Sequence, residues 1–519
     1  MTLINENSAA GEASAPLRQL ECINPATGEK VGALDLCSVE EVPELVTRAR
    51  AAYGPWRDLG FDGRAAVLRK ARDILLDRKE EVLDLLVEET GKVRCDAIAD
   101  VLVICETIQY FASKGKKFLK DQKINSRLWK NKGLVTQYAP RGVVLNISPW
   151  NYPLDLAWSP LIPALLAGNV VINKPSEYTP RISLHFLEIL REAGVPQDAA
   201  QVVVGMGDVG AALIPEVDYV TFTGSGNTGR KVGALCGSHL VPFTLELGGK
   251  DPAIVLDDAD IERAANGIVW GSFFNSGQTC IAVERVYVAN EVYVPFVEAV
   301  VEKTKALRQG IDENFDKDVG AMCNEAQLNI VDSHVQDAIE KGAMVRAGGK
   351  KNPEYPGGFF YEPTVLTDVD HSMKIMTDET FGPVLPIMSV RDGAEALAYA
   401  NQSPYGLNAS VWTRDKERGA SIARKLESGQ VCVNDCLVSA GVVEAPFGGM
   451  KESGVGRRRG PEEIRKYCNQ KAVLRDIFGL KRETIWYPYS PGVGNILLRL
   501  LGMVFRSGFG NKIRHLKND

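Results

Sequence analysis

No run of about 18 or more apolar residues occurs in this 519-residue chain, which excludes a membrane-spanning helix of ordinary length. Histidine is scarce, and the five residues at 185, 239, 334, 371 and 515 form no ligand-spaced cluster, so no metal site is expected. A basic excess is missing too. Sixty Lys/Arg against 66 Asp/Glu leave a net charge of −6, without the basic domain or stripe that marks nucleic-acid binders. The ten cysteines are scattered and form no disulfide framework; they predict free thiols in a reducing, cytoplasmic compartment. Cys432 and Cys436 alternate with Val431 and Val433 in a strand-like run and are read as structural. Met1 to Pro16 has no basic segment followed by an apolar one, so a secretory signal is not expected. What remains is ordinary: 45% hydrophobic and 24% charged residues exclude a disordered or fibrous class, and the length suggests about three domains.

From Val39 to Lys130 apolar and charged residues alternate at helical spacing, as in Ala65, Leu68, Ala71, Leu75 and Leu76, which predicts amphipathic helices. The texture changes near residue 134. Leu134 to Tyr138 alternates like an exposed strand, and Gly142 to Ile147 reads as a buried one. A strand–loop–helix rhythm follows, with strands near 170–173, 201–204 and 219–222 and helices over 181–193, 208–214 and 227–236. A second α/β series runs from Ala253 to about Thr413. This alternation predicts βαβ units on parallel sheets: an α/β fold of two open domains with a small added element.

Two stretches read G-x-G-x-x-G after a predicted strand, Gly205 to Gly210 and Gly224 to Gly229. The pattern lets backbone approach a pyrophosphate at a helix N-terminus, and it equally describes a tight strand-to-helix turn. Glu246 is the one acid in the apolar, Gly-rich run Thr244 to Gly249. A buried lone carboxylate destabilises unless functional or paired, and an uncharged pocket would raise its pKa toward the range of a general base. Cys280 follows the polar, Gly-bearing stretch Asn275 to Thr279, which suits an accessible loop carrying a nucleophilic thiol.

Seven motifs then occur in order between about residues 20 and 476. They are Ser148-Pro149-Trp150-Asn151-Tyr152-Pro153, Asn173-Lys174-Pro175-Ser176-Glu177, Phe222-Thr223-Gly224-Ser225 and Leu245-Glu246-Leu247-Gly248-Gly249-Lys250, followed by Gly277-Gln278-Thr279-Cys280, Glu379-Thr380-Phe381-Gly382-Pro383-Val384 and Pro446 to Gly454. In order and spacing this set resembles the aldehyde dehydrogenase superfamily. Pro163 to Asn169 and Glu284-Arg285-Val286-Tyr287 look most like its succinate-semialdehyde branch.

The resemblance implies a Rossmann-like NAD-binding domain over 1–130 and 143–248, a catalytic domain over 249–445 and a β oligomerisation element over 131–142 and 446–476. It implies oxidation of an aldehyde to the acid through a cysteine hemithioacetal and thioester, by a homodimer or homotetramer. Cys280 would be the nucleophile, Asn151 and the Cys280 N–H the oxyanion donors, and Glu246 the base that deacylates to water rather than to coenzyme A. For the cofactor it implies Lys174, Ser176 and Glu177 at the adenosine ribose, Gly207 near the adenine, and Ser225, Gly224 and Thr228 at the pyrophosphate. Ile147, Ser148, Pro149, Trp150 and Phe222 would wall the site, with Leu247, Gly248, Glu379 and Phe381 about the nicotinamide end. Glu177 accepts from ribose hydroxyls and repels a 2′-phosphate, which favours NAD over NADP. A cofactor-free thiol esterase and a catalytically silent binding protein are the alternatives.

Residues 477–519 depart from the resemblance, with seven Lys/Arg against two Asp/Glu. Between 496 and 505 a helix would be apolar apart from Arg499 and Gly502. It is too short to span a bilayer; it could lie on a membrane surface, pack over its own or a partner subunit, or gate the substrate mouth. Aliphatic, even long-chain, aldehydes and succinic semialdehyde are both candidate substrates, the latter requiring a cation such as Arg285 or Arg457 to Arg459.

Overall fold

The computed structural model describes residues 19–483 and 485–507 and divides into two units, one of residues 1–120 with 138–469 and one of residues 121–137 with 470–519.

The larger unit is built on two sheets. A six-stranded sheet runs in the order Gly454–Val455, Phe243–Glu246, Tyr219–Thr223, Val143–Ile147, Val170–Lys174 and Ala200–Val202. All its pairings are parallel except the first, where Gly454 sits opposite Glu246. Val143 to Leu145 and Val170 to Ile172 are wholly buried, as the apolar runs of parallel strands covered on both faces must be. The helices Val42–Asp58, Gly60–Asp77, Lys79–Thr90 and Arg94–Phe118 precede this sheet. Ala65, Leu68, Ala71 and Leu75 point inward, but Leu76 is exposed: at 3.6 residues per turn, a residue adjacent to Leu75 rotates off the stripe. The helical texture also ends earlier than its sequence pattern suggests, at Phe118.

The second sheet has seven strands in the order Met344–Ala347, Thr364–Thr367, Val384–Val390, Val283–Ala289, Asp251–Val255, Ser410–Trp412 and Cys432–Val433, parallel except at the first pair. Parallel strands place their carboxyl ends on one side, where an α/β sheet builds its sites. Glu246 ends one strand of the first sheet, and Cys280 lies on the loop before Val283–Ala289 in the second.

In the smaller unit, residues 132–137 form the middle strand between 122–124 and 470–476. Lys132 pairs with Asp476 at 2.8 Å and with Glu483. The helix Pro491–Phe505 is N-capped by Ser490, whose hydroxyl accepts from the Val493 N–H at 3.3 Å. Ile496, Leu498, Leu500, Leu501, Met503 and Phe505 are all exposed. No helix among the described residues is long and apolar enough to cross a membrane.

Candidate active site

The turn before Cys280 is left-handed at three successive residues, Asn275 (φ 54°), Ser276 (φ 56°) and Gly277 (φ 72°). Such a conformation costs on the order of 1 kcal/mol or more per non-glycine residue and persists only where neighbours over-determine it. Here the buried Asp96 carboxylate accepts the Asn275 N–H at 2.8 Å, and the Ser276 hydroxyl donates to the Gly320 carbonyl at 3.0 Å. At Gly277 a Cβ would lie 2.2 Å from the Gly382 carbonyl oxygen, so only glycine fits. The same turn meets the Asn151 loop. Asn151 Nδ2 donates to the Gln278 carbonyl at 2.9 Å, and the Asn151 carbonyl accepts from Asn275 Nδ2 at 3.1 Å and from Lys92 Nζ at 2.9 Å. Lys92 is buried and pairs with the buried Asp100 at 3.0 Å. Asn151 and the Cys280 turn therefore form one hydrogen-bonded assembly.

Glu246 is buried, and neither carboxylate oxygen has a hydrogen-bond partner. Burial pushes it up to about 7, against the opposing pull of Arg458, Lys466 and Arg457. Burial also pushes the Cys280 thiol well up, aided by the carboxylates of Asp251, Glu379 and Glu246. Cys280 and Glu246 stand on the wall between two cavities. One, of about 410 Å³, is lined by Leu102, Val103, Tyr152, Trp270, Phe274, Leu437, Val438 and Phe447, with Arg458 and Arg459 at its polar end. The other, of about 550 Å³, holds Asn151, Leu247, Gly248, Glu379 and Phe381.

A third cavity, of about 570 Å³, adjoins the second and is lined by Ile147, Ser148, Pro149, Trp150, Lys174, Ser176, Glu177, Gly207, Phe222, Gly224, Ser225 and Thr228. Ser225 caps the helix Gly226–His239, its hydroxyl accepting from the Thr228 N–H at 3.4 Å. Lys174 is buried, its Nζ donates to the Pro175 carbonyl at 3.0 Å, and burial lowers its pKa. A helix N-terminus, a confined ammonium and a carboxylate at Glu177 form the donor and acceptor set that a dinucleotide's phosphates and ribose require. At the other end, Gly249 N–H donates to Glu379 Oε1 at 3.0 Å, and a Cβ at Gly248 would fall 2.1 Å from Glu379 Oε2. Glycine there lets the carboxylate lie against the backbone. Burial and the nearby Glu284 carboxylate raise the Glu379 pKa. Phe381 meets Trp150 edge-on at 5.4 Å.

Every residue that the sequence assigns to catalysis or to the cofactor thus lines one of the two adjoining cavities. Three groups escaped that reading. Thr223 lines all three cavities with its hydroxyl buried and unpartnered; its place between Phe222 and Gly224 was the available signal. Lys92 and Asp100 gave none. Glu284 accepts from the Thr380 and Phe381 N–H groups, each at 2.8 Å, and from Lys250 Nζ at 2.7 Å, fixing the Glu379 loop. Arg285, a candidate for binding a substrate carboxylate, is instead structural. Its guanidinium donates to the Lys250 carbonyl at 2.7 Å, the Tyr287 hydroxyl at 3.0 Å and the Ala400 carbonyl at 3.0 Å, and it does not line the substrate-side cavity. Among the described residues no group of three or more His, Cys, Asp or Glu could hold a metal ion.

The family model for the aldehyde dehydrogenase family matches residues 12–473. The chain is 41% identical over 449 residues to a protein of Mycolicibacterium smegmatis named as an NADP(+) succinate-semialdehyde dehydrogenase, covering 86% of this chain and 87% of that one. It is 36% identical over 475 residues to a 4,4'-diapolycopene aldehyde oxidase of Methylomonas sp, covering 91% and 88%. The solved structure of the aldehyde dehydrogenase PutA from Anabaena variabilis superposes with a TM-score of 0.87 at 35% identity, covering 91% of this chain and all of that one. Fold, site geometry and sequence agree: the chain belongs to the aldehyde dehydrogenase family, oxidoreductases acting on the aldehyde group.

Proposed function

We propose that this enzyme oxidises an apolar aldehyde to its carboxylic acid, with Cys280 as nucleophile, Asn151 as oxyanion donor and Glu246 as the base that releases the product. The observation that carries the reading is the position of Cys280 and Glu246 on one wall, with the apolar 410 Å³ cavity on one side and the cofactor-sized pair on the other. Cys280 Sγ gives its proton to water and adds to the aldehyde carbon. The oxygen that becomes an oxyanion then faces the Asn151 amide, which spends one N–H on Gln278 and has a second to donate; such a donor contributes roughly 2.7–4 kcal/mol. A dinucleotide held in the two adjoining cavities would supply the acceptor for the hydride that leaves the same carbon. Glu246 then takes a proton from water as it opens the thioester, and its value of about 7 suits that task at neutral pH.

Lys174, Ser176 and Glu177 would hold the adenosine ribose, and Ser225 with the helix behind it the pyrophosphate. Glu177 favours NAD; the relative named for NADP(+) keeps NADP in view, and kcat/KM with each cofactor decides between them. Residues 1–130 with 143–248 would form the cofactor domain, 249–445 the catalytic domain, and 131–142 with 446–476 the element joining copies into a dimer or tetramer. The free thiols suit a reducing, cytoplasmic setting, and the apolar, basic C-terminal segment is assigned to an anionic membrane surface.

A second substrate reading has its own support. Arg459 lines the substrate-side cavity and donates only a long 3.5 Å bond to the Ser439 carbonyl, its guanidinium 5.1 Å from the Phe447 ring centroid. It could receive the far carboxylate of succinic semialdehyde. Comparing kcat/KM for hexanal, dodecanal and succinic semialdehyde separates the two. Higher values for the alkanals support the apolar reading; a preference for the semialdehyde that R459Q abolishes overturns it. Full aldehyde oxidation by C280S would sink the mechanism itself.

A further inference from the structure

Behind Glu246 lies a cluster of charges that the reaction as written leaves unused. Residues 456–459 follow the strand Gly454–Val455, which pairs with Leu245 and Glu246. Phe447 and Arg458 exchange two backbone hydrogen bonds, at 2.8 and 2.7 Å, which fix the Arg458 backbone. Its side chain is 3% exposed. One guanidinium nitrogen donates to the Ser159 hydroxyl at 2.5 Å, while Nε stands 3.7 Å from Glu463 Oε1 without a hydrogen bond. Glu463 is also drawn elsewhere: its Oε2 accepts the Arg459 N–H at 2.6 Å, and Lys466 Nζ stands 3.8 Å from its Oε1. Arg457 spends its guanidinium on the Gly449 and Gly456 carbonyls, at 2.8 and 2.7 Å. Arg458 and Lys466 therefore share the carboxylate of Glu463. Two further anions lie within reach of Arg458 on the lining of the apolar cavity, Asp155 and Glu246, and of these only Glu246 has both oxygens without a partner.

We infer that Arg458 is a positioning residue for Glu246: tethered by Ser159 and Glu463, its guanidinium is the fixed counter-charge that keeps the buried carboxylate ionised and turned toward the thioester. The inference rests on Glu246 being the deacylating base. An arginine suits this role because it stays charged throughout the pH range of an enzyme, so it can set a field without relaying a proton. A lysine would supply the charge but not the fork that binds Ser159 while keeping Nε toward Glu463. A field held in place before the reaction needs no reorganisation during it. The charged and titratable groups about Glu246 are Arg457, Arg458, Lys466 and Glu463 from the 454–467 segment, with Cys280 from the nucleophile turn, while Asp155 and Tyr467 also act on Arg458. Of these Glu463 acts against Arg458, since it raises the Glu246 pKa while Arg458 lowers it.

Two variants consequently move the same property in opposite directions. Steady-state kcat would be measured from pH 5.5 to 9.5 alongside the burst of NADH in the first turnover, which reports the steps before deacylation. In R458Q the acid limb of kcat moves up by about one pH unit, so that kcat falls about tenfold on that limb and recovers at high pH; the burst amplitude is kept. R458K falls between wild type and R458Q. In E463Q the limb moves down. Limbs that stay in place in folded R458Q, or a loss equal at every pH, would overturn the role, because a purely structural defect has no reason to follow the titration of Glu246 or to reverse sign at Glu463. E246Q tests the underlying reading separately. If it turns over as fast as wild type, Glu246 is not the base; if it gives a burst and then stalls while the R458Q limb is unmoved, only the Arg458 assignment fails.

Discussion

A carboxyl buried without partners, as Glu246 is, opposes folding in proportion to its ionisation. The unfolded chain ionises it above its ordinary value of 4.5, whereas the folded chain holds its proton until about 7. The penalty is thus absent below pH 4.5, grows between those values, and is complete above pH 7, where the displacement corresponds to roughly 3 kcal/mol. E246Q has no such ionisation. Relative to wild type it should melt higher at pH 8.5, by less than half that margin at pH 5.5, and not at all higher at pH 4. Equal melting temperatures across this range would show that Glu246 is neither so buried nor so isolated as described. The expected gain in stability accompanies loss of turnover, since function and fold place opposite demands on this residue. Cys280 presents a related contrast. Its thiol is raised by burial and by three carboxylates, so its alkylation by iodoacetamide without cofactor should be slow at pH 7 and climb steadily with pH. Fast, pH-independent labelling would contradict that environment.

At the scale of elements, the Glu379 loop depends on an ion pair far from the surface. Lys250 and Glu284 meet at 2.7 Å with side chains 0% and 6% exposed. E284Q would leave the Lys250 charge uncompensated and weaken the acceptors for Thr380 and Phe381, so urea unfolding should show a loss of about 3–5 kcal/mol. Adding K250M removes the stranded charge, and the double variant should recover most of that loss; strict additivity would mean the pair is not a unit. Sequence patterning did not reveal this pair. Strands such as 143–147 and 170–174 were legible because apolar runs and the strand–helix rhythm are local, and the motif residues about Cys280 and Glu246 because each motif is contiguous. Lys250, Glu284 and Thr380 come together only through the sheet register and a long loop. Arg285 was misread for a similar reason: neighbours in a strand face opposite sides, so Glu284 turns to Lys250 and the 380–381 backbone while Arg285 reaches Ala400. The amphipathic stripe failed at Leu76, where one residue of rotation carries a leucine into solvent.

At the scale of the whole molecule the charge is unevenly divided. The chain carries −6, of which residues 477–519 contribute seven basic against two acidic groups, so the rest carries −11. Those same residues include the helix Pro491–Phe505, which exposes Ile496, Leu498, Leu501 and Phe505. Exposed aromatic residues precede it at Trp486, Tyr487 and Tyr489. Apolar side chains, interfacial aromatics and basic groups are the combination that binds an anionic bilayer surface, each Lys or Arg near that surface adding about 1 kcal/mol at moderate salt. The intact protein should float with vesicles containing phosphatidylglycerol, less with phosphatidylcholine alone, and less again in 0.5 M salt, about three times the physiological ionic strength, where screening shortens to a few ångströms. The double variant L498E/L501E in the full chain should stay in the soluble fraction while keeping its activity on short soluble aldehydes. Failure of the intact protein to float under any of these conditions would overturn the membrane assignment. If L498E/L501E then lowered the mass measured by light scattering, a second copy of the chain would be what covers the helix.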